Sequence, residues 1–332
     1  MKEWFRYTDN VTGYEITQYT SANVRSRKPY FTTENFTPDD RYFFFERKGV
    51  GLFRAEVVTG ELTLMAGTEY SGFAMDREGA WGVMVKDKVT VCKIDCYSGE
   101  ITTLGTLPDG SSITGHLTTA NTGRVACSCQ LQNKIYALCI LDPGKTESEV
   151  VYLSDCPLGH CQICPSDENQ IFYVHETGGD ALQRTWMCDV KNRTVRPWFV
   201  EQGEWITHEV WSWDGEEMAF INRPAIWTGD KEGHEFKFFA DLPDREPHHP
   251  CISRDRKYIC ADTHNNGSGP SVELFERETG RHWQLAVTKP YATGDDHLHP
   301  SFNRRGDKIL FSNPDADGNA QVSIIDISEI IK

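Results

Sequence analysis

The sequence predicts an all-β fold, a seven-bladed β-propeller closed by its N-terminal strand. Three observations predict it. One segment pattern recurs seven times, several copies are followed by a Gly-centred hairpin, and the last copy is one strand short. The 332 residues shared among seven copies give about 47 each, the size of a four-stranded blade. The chain is therefore read as one domain, 1–332, rather than two.

Each copy has a strand-like entry, an apolar residue, Ser/Thr or similar, a turn built on Asp or Gly, and a short apolar strand. In order the copies occupy 34–45, 72–85, 116–129, 160–174, 208–215, 249–255 and 299–306. Hairpins follow around Thr59-Gly60, Ser98-Gly99 and Thr279-Gly280, small turn residues between alternating apolar runs. The C-terminal run, 322–326, is only a third strand. Residues 14–19, after the Thr12-Gly13 turn, are expected to supply the missing outer one. Such closure removes the exposed edges that so many strands would otherwise present.

Charge and cysteine content narrow the function. With 34 Lys+Arg against 49 Asp+Glu, the net charge is −15. That excludes nucleic acid as an expected partner and disfavours long polyanions, unless positive charge gathers locally. No run of 18 apolar residues exists, so no membrane helix is expected, and the first residues carry no secretion signal. Eleven cysteines, an odd number, then read as free thiols in a reducing cytoplasm. Cys161 and Cys164 have redox or zinc spacing but stand alone where a strand is expected, and read as buried strand cysteines. Oligomeric state is not legible.

One position in the repeat is special. Three residues before the apolar residue of each turn stand Thr33, Tyr70, His116, His160, His208, His249 and His299. Innermost propeller strands begin beside the central channel, so these positions converge on one face. The second strand returns antiparallel and adds His175, Glu176, Arg223, Asp262 and His264 to the rim. An excursion over 178–186 carries Gln183 and Arg184. His297 lies two residues before His299, so a strand there would point both the same way. A single histidine such as His116 reads best as structural. His249, His297 and His299 together are three imidazoles from two strand starts, the makings of an open metal site. The tryptophans Trp186, Trp198, Trp205, Trp211 and Trp213 read as blade packing. Asp76, Asp214 and Asp255 read as turn residues.

The residues also resemble a family. Tyr7-Thr-Asp-Asn-Val-Thr-Gly-Tyr-Glu-Ile-Thr-Gln-Tyr-Thr20, His160-Cys-Gln-Ile-Cys-Pro165, Tyr173-Val-His-Glu176, Gln183-Arg-Thr-Trp186, Thr207-His-Glu-Val-Trp-Ser-Trp-Asp-Gly215 and His297-Leu-His-Pro-Ser-Phe302 are similar to segments of the oligogalacturonate lyases, polysaccharide lyase family 22. The match runs in order along most of the chain and is strongest over 159–215 and near His299. The chain is shorter than the family's usual length, which implies trimmed rim loops. The resemblance implies a seven-bladed propeller that cleaves short galacturonides by β-elimination with a divalent metal, typically manganese. It places the metal ligands at His249, His297 and His299, the proton-abstracting base at His208, and a carboxylate-facing arginine at Arg184. His160, Gln162, His175 and Arg223 are the substrate-binding candidates. The family's glutamine ligand before the His-x-His pair has no counterpart in Ala292-Thr-Gly-Asp-Asp296. Asp295, Asp296 or water is left for that position, or the metal is lost. The expected partner is a small anionic oligosaccharide, which an acidic exterior admits while repelling long pectate chains. Two other readings stay open: a metal-dependent propeller enzyme for another uronate or sugar acid, and a non-catalytic binding propeller.

Overall fold

The structure, a computed structural model, describes residues 3–176, 182–200, 204–264, 269–291 and 297–332. Seven antiparallel sheets stand around a central channel. Six of them form from consecutive segments. From blade two round to blade seven the innermost strands touch one another in turn, Ser26–Arg27 of blade one touches Ala320–Asp326 of blade seven, and successive strands step outward. Blade one begins at Ser26–Arg27, blade two at Tyr70–Met75, blade four at Leu158–Cys164, blade five at Ile206–Trp211 and blade six at Pro247–Ile252. Blade three opens on two short strands, Ser112–Ile113 and Thr118–Thr119, both paired with Val125–Gln130.

The seventh blade closes as expected, with one addition. Glu15–Gln18 pairs with Ala320–Asp326, setting Ile16 opposite Ile325, so the N-terminus supplies the fourth strand. Phe5–Thr8 then pairs with Glu15–Gln18 as a fifth, outermost strand that the repeat pattern did not announce.

The blade strands read as unbroken apolar runs because both faces of each inner strand are covered. Phe43, Phe44 and Phe45 show how. Successive side chains leave a strand on opposite faces. Phe43 and Phe45 pack with Leu310 and Val322 of blade seven, and Phe44 packs with Phe73 and Met84 of blade two. The molecule holds seven such apolar clusters, one at each junction between neighbouring blades.

The turns follow the predicted chemistry. The Asp214 carboxylate accepts hydrogen bonds from the Ser212 hydroxyl (2.7 Å) and the Glu216 N–H (3.2 Å), and Asp255 does the same for Ser253 and Lys257. The Gly99 turn needs a left-handed backbone, φ 79°, and closes with its N–H on the Asp95 carbonyl. All eleven cysteines are free, and Cys161 and Cys164 lie buried in the innermost strand of blade four. Trp198 and Trp211 fill the junction of blades four and five.

Candidate metal and catalytic site

The histidines owe their convergence to a bulge. In blades two, four, five and six the pairing of the first two strands slips near its start, between Ser71/Ala74, Gly159/Gln162, Thr207/Val210 and His248/Cys251, and blade four slips again between Ile163 and Cys164. The residue inside each bulge is left-handed: Gly72 (φ 70°), His160 (48°), His208 (59°) and His249 (34°); His299 of blade seven is left-handed too (47°). This corrects the register of blade two. The equivalent of the histidines there is Gly72, not Tyr70. Glycine is the ordinary residue for such a bulge, and a side chain there costs about 1 kcal/mol. Four imidazoles held against that cost point to a function rather than to turn chemistry.

The bulge also breaks strand alternation, so neighbours in sequence reach the same site. His208 lies with its ring centroid 4.0 Å from His249 and 4.9 Å from His248. His249 is 4.8 Å from His297 and 4.1 Å from His299. His264 stands 3.8 Å from His248. His297 and His299 are 5.6 Å apart, yet not by strand alternation, because the innermost strand of blade seven starts only at Ser301. The left-handed turn at His299 brings them together.

Tyr30 and Phe31 pack against this ring. Tyr30 stacks on His116 at 4.1 Å and 13°, and meets His299 edge-on at 5.0 Å. Phe31 stacks on His299 at 5.7 Å and 16°. His116 is thus held by its stack on Tyr30. Burial holds the His116 imidazole down to about 3. Burial first, then the neighbouring imidazoles, hold His208 and His249 well below the usual range, and burial does the same at His299. These rings are neutral at pH 7, the form that ligates a metal or accepts a proton.

Among the described residues two sets of side chains bring ligand atoms within 4.8 Å of one another: His208, His248 and His249, and His249, Asp262 and His297. His249 belongs to both and His297 to one. His299, the third expected ligand, is in neither set and packs beside His249. Asp262, 1 % exposed, links the two histidines: it accepts from His249 Nδ1 at 2.9 Å and from the His299 backbone N–H at 3.0 Å. That fixes the His249 ring with Nε2 left available, a carboxylate–histidine pairing common around metals. Asp295 and Asp296 lie outside the described residues, as does 178–181 of the blade-four excursion.

Arg184 sits apart from this ring, in a second network. It is 2 % exposed and pairs with Glu209 and Glu176, each at 3.5 Å. Glu209 is fully buried and receives His160 Nδ1 at 3.0 Å. Burial alone would raise the Glu209 carboxyl, but Arg184 and then His160 pull it below its usual value. Gln162 is buried, and its amide donates to the Glu209 carbonyl oxygen at 2.8 Å, tying blade four to blade five. His175 stacks on Trp186 at 5.2 Å and has its nearer ring contacts there and at Tyr173. Arg223 is exposed, paired with Glu246 and laid over Trp205 at 5.3 Å.

The sequence reading passed over Lys28, His248 and Glu209, and took Asp262 only as a rim residue. His248 and Glu209 each adjoin a ring histidine, where simple alternation would turn them away. Lys28 lies in an irregular segment that no period describes. It lines a cavity of about 660 Å³ together with Arg25, Arg27, Arg47 and Lys48, and the inner wall is Tyr30, His116 and His299.

Fold and site define a class: a seven-bladed propeller whose channel mouth gathers neutral imidazoles and a carboxylate at metal-binding spacing. No protein-family model matches the chain. It is similar over its whole length to the oligogalacturonate lyases. An oligogalacturonate lyase of Dickeya dadantii is 22 % identical over 383 aligned positions, covering 98 % of this chain and 96 % of the relative. Since the chain has 332 residues, gaps in it make up the difference, in keeping with trimmed loops. Two solved structures share the fold. One is an oligogalacturonate lyase in complex with manganese, with TM-score 0.88, 20 % identity, and 99 % and 97 % of the two chains covered. The other is an oligogalacturonate lyase from Vibrio parahaemolyticus, with TM-score 0.87, 19 % identity, and coverage of 100 % and 98 %.

Proposed function

We propose that the chain is a carbon–oxygen lyase that cleaves short galacturonides by β-elimination, with His208 as the base. The observation that carries this reading is the ring of left-handed histidines around His249, at the positions where the resemblance expects them. A divalent cation fits these residues. Ligand atoms of His249, Asp262 and His297 lie within 4.8 Å of one another, and nitrogen and carboxylate donors suit first-row divalent ions. His249 and His297 would hold it, with Asp262 beside them orienting His249, and His299, packed against His249, is the third ligand that the resemblance implies. When bound it neutralises the substrate carboxylate, which makes the adjacent carbon–hydrogen bond acidic enough to break. Manganese is the ion we assign, after the complex of the related lyase.

The protein's own groups then do the following. His208, neutral at pH 7, accepts the proton from the carbon beside the carboxylate at whichever ring nitrogen is unprotonated. The electron pair forms a double bond to the neighbouring ring carbon, whose bond to the glycosidic oxygen breaks. That oxygen takes a proton from His160 or water. His160 is chosen over His175 because its ring belongs to the channel side, oriented by Glu209. Arg184 engages the carboxylate by exchanging its 3.5 Å contact with the half-exposed Glu176 for the substrate. Gln162 acts through Glu209, and Arg223 marks the outer edge. We place the enzyme in the cytoplasm on its eleven free cysteines. Among the described residues no helix is long and apolar enough to cross a membrane.

Metal analysis of purified protein tests the ligand assignment. About one divalent ion per chain is expected, lost in His249→Ala. A full complement of metal in that variant contradicts it.

A further inference from the structure

The lyase chemistry leaves His248 without a task. It is 8 % exposed, and its Nδ1 is buried with no hydrogen-bond partner among the described residues. Its Nε2 faces Glu246 Oε1 at 3.9 Å, and His264 stands edge-on to its ring at 3.8 Å. The Nδ1 of His208 is buried and unpartnered among the described residues as well. The two rings lie 4.9 Å apart. Buried polar nitrogens are normally matched, so two orphans side by side call for a group that meets both.

A cation is such a group. Ligand atoms of His208, His248 and His249 lie within 4.8 Å of one another. This set differs in chemistry from its neighbour. His249, Asp262 and His297 include a carboxylate, a donor that suits manganese, whereas His208, His248 and His249 offer imidazole nitrogen alone. Three imidazoles with an open fourth position suit zinc, which stands above manganese in affinity for such donors. The two sets share His249. Its Nδ1 faces both oxygens of Asp262, at 2.9 and 3.1 Å, so Nε2 alone is left to ligate. Only one ion at a time can take it.

We propose that His208, His248 and His249 form a second cation site, of the zinc class, which competes with the manganese site for His249. Filling it also ties up His208, the base. Zinc bound there therefore removes a ligand from the catalytic ion and the proton acceptor from the substrate, and the site is inhibitory. The inhibition rests on the lyase reading, whereas the binding of zinc does not.

The test titrates metal-free wild-type protein, His248→Phe and His297→Gln with Zn²⁺ and, separately, with Mn²⁺. Zinc affinity is read by competition with a chromophoric chelator, and free Mn²⁺ by electron paramagnetic resonance. Phenylalanine keeps a ring at position 248 and removes both nitrogens. His248→Phe is expected to weaken zinc binding at least about tenfold and to leave manganese affinity unchanged, and His297→Gln to do the reverse. Zinc added to manganese-loaded wild type should release Mn²⁺ and stop turnover of digalacturonate, and at the same concentration should do neither in His248→Phe. Unchanged zinc affinity in folded His248→Phe overturns the site, and zinc that binds without releasing Mn²⁺ overturns the competition. Zinc binding that depends on His248, in a protein that never cleaves digalacturonate, keeps the cation site and removes the lyase. Cleavage that persists at saturating zinc leaves the lyase standing and removes the inhibitory site. Should His248→Phe fail to fold, His248→Gln decides, and full zinc affinity in it overturns the proposal.

Discussion

His208 and Gly72 occupy the same place in two blades, and the difference between them separates function from folding. Both are left-handed. Glycine adopts that backbone freely, and asparagine tolerates it better than most residues. His208→Asn is therefore expected to fold, with a melting temperature near wild type, while lyase turnover falls at least a hundredfold. Activity within a few-fold of wild type would remove His208 as the base. Gly72→Ala tests the conformational argument by itself. The added methyl meets only Leu117 Cδ1 at 3.8 Å, so the cost is strain, about 1 kcal/mol, read from chemical denaturation. No loss of stability there would undercut the claim that the ring histidines are held against a cost.

At the scale of the strand and blade, the sequence was informative wherever a period applied. Seven turns, the Gly60, Gly99 and Gly280 hairpins, and the closing strand at Glu15–Gln18 were all legible. So were the five histidines in or just before the inner strands. What escaped lies where the period fails. Alternation cannot predict that His248 joins His249, or that Glu209 is buried beside His160, because the bulge at each place resets the direction of the side chains. Lys28, Tyr30 and Phe31 lie in a segment without regular pairing, so nothing in the spacing marks them. The inner strands carry the stability. Phe44, fully buried between blades one and two, is expected to cost about 3–5 kcal/mol when cut to alanine, with the loss measured by denaturant unfolding. A cost under 1 kcal/mol would mean that the blade junction is not packed as described.

For the whole molecule, charge and protonation follow from the ring. The acidic balance of −15 belongs to the molecule as a whole, while the channel mouth holds neutral imidazoles and the adjoining cavity holds cations. Stability should depend on pH through the buried histidines. His116 is lowered by burial from 6.5 to about 3 in the folded chain. Below 6.5 the unfolded chain therefore binds the proton first. The contribution of this residue is complete above about pH 6.5. It is lost progressively toward pH 3, at about 1.4 kcal/mol per pH unit. His116→Phe should keep the stacking on Tyr30 and flatten the acid side of the melting-temperature profile. A profile identical to wild type would contradict the buried, neutral state assigned to this ring.

The most direct test of the central claim is a turnover measurement. Digalacturonate is mixed with protein loaded with Mn²⁺, and the ultraviolet absorbance of the conjugated, unsaturated product is followed. The account predicts a steady rise that stops on chelation, returns with added Mn²⁺, and is absent in His208→Asn. No rise with loaded wild-type protein, or an undiminished rise in His208→Asn, would contradict it.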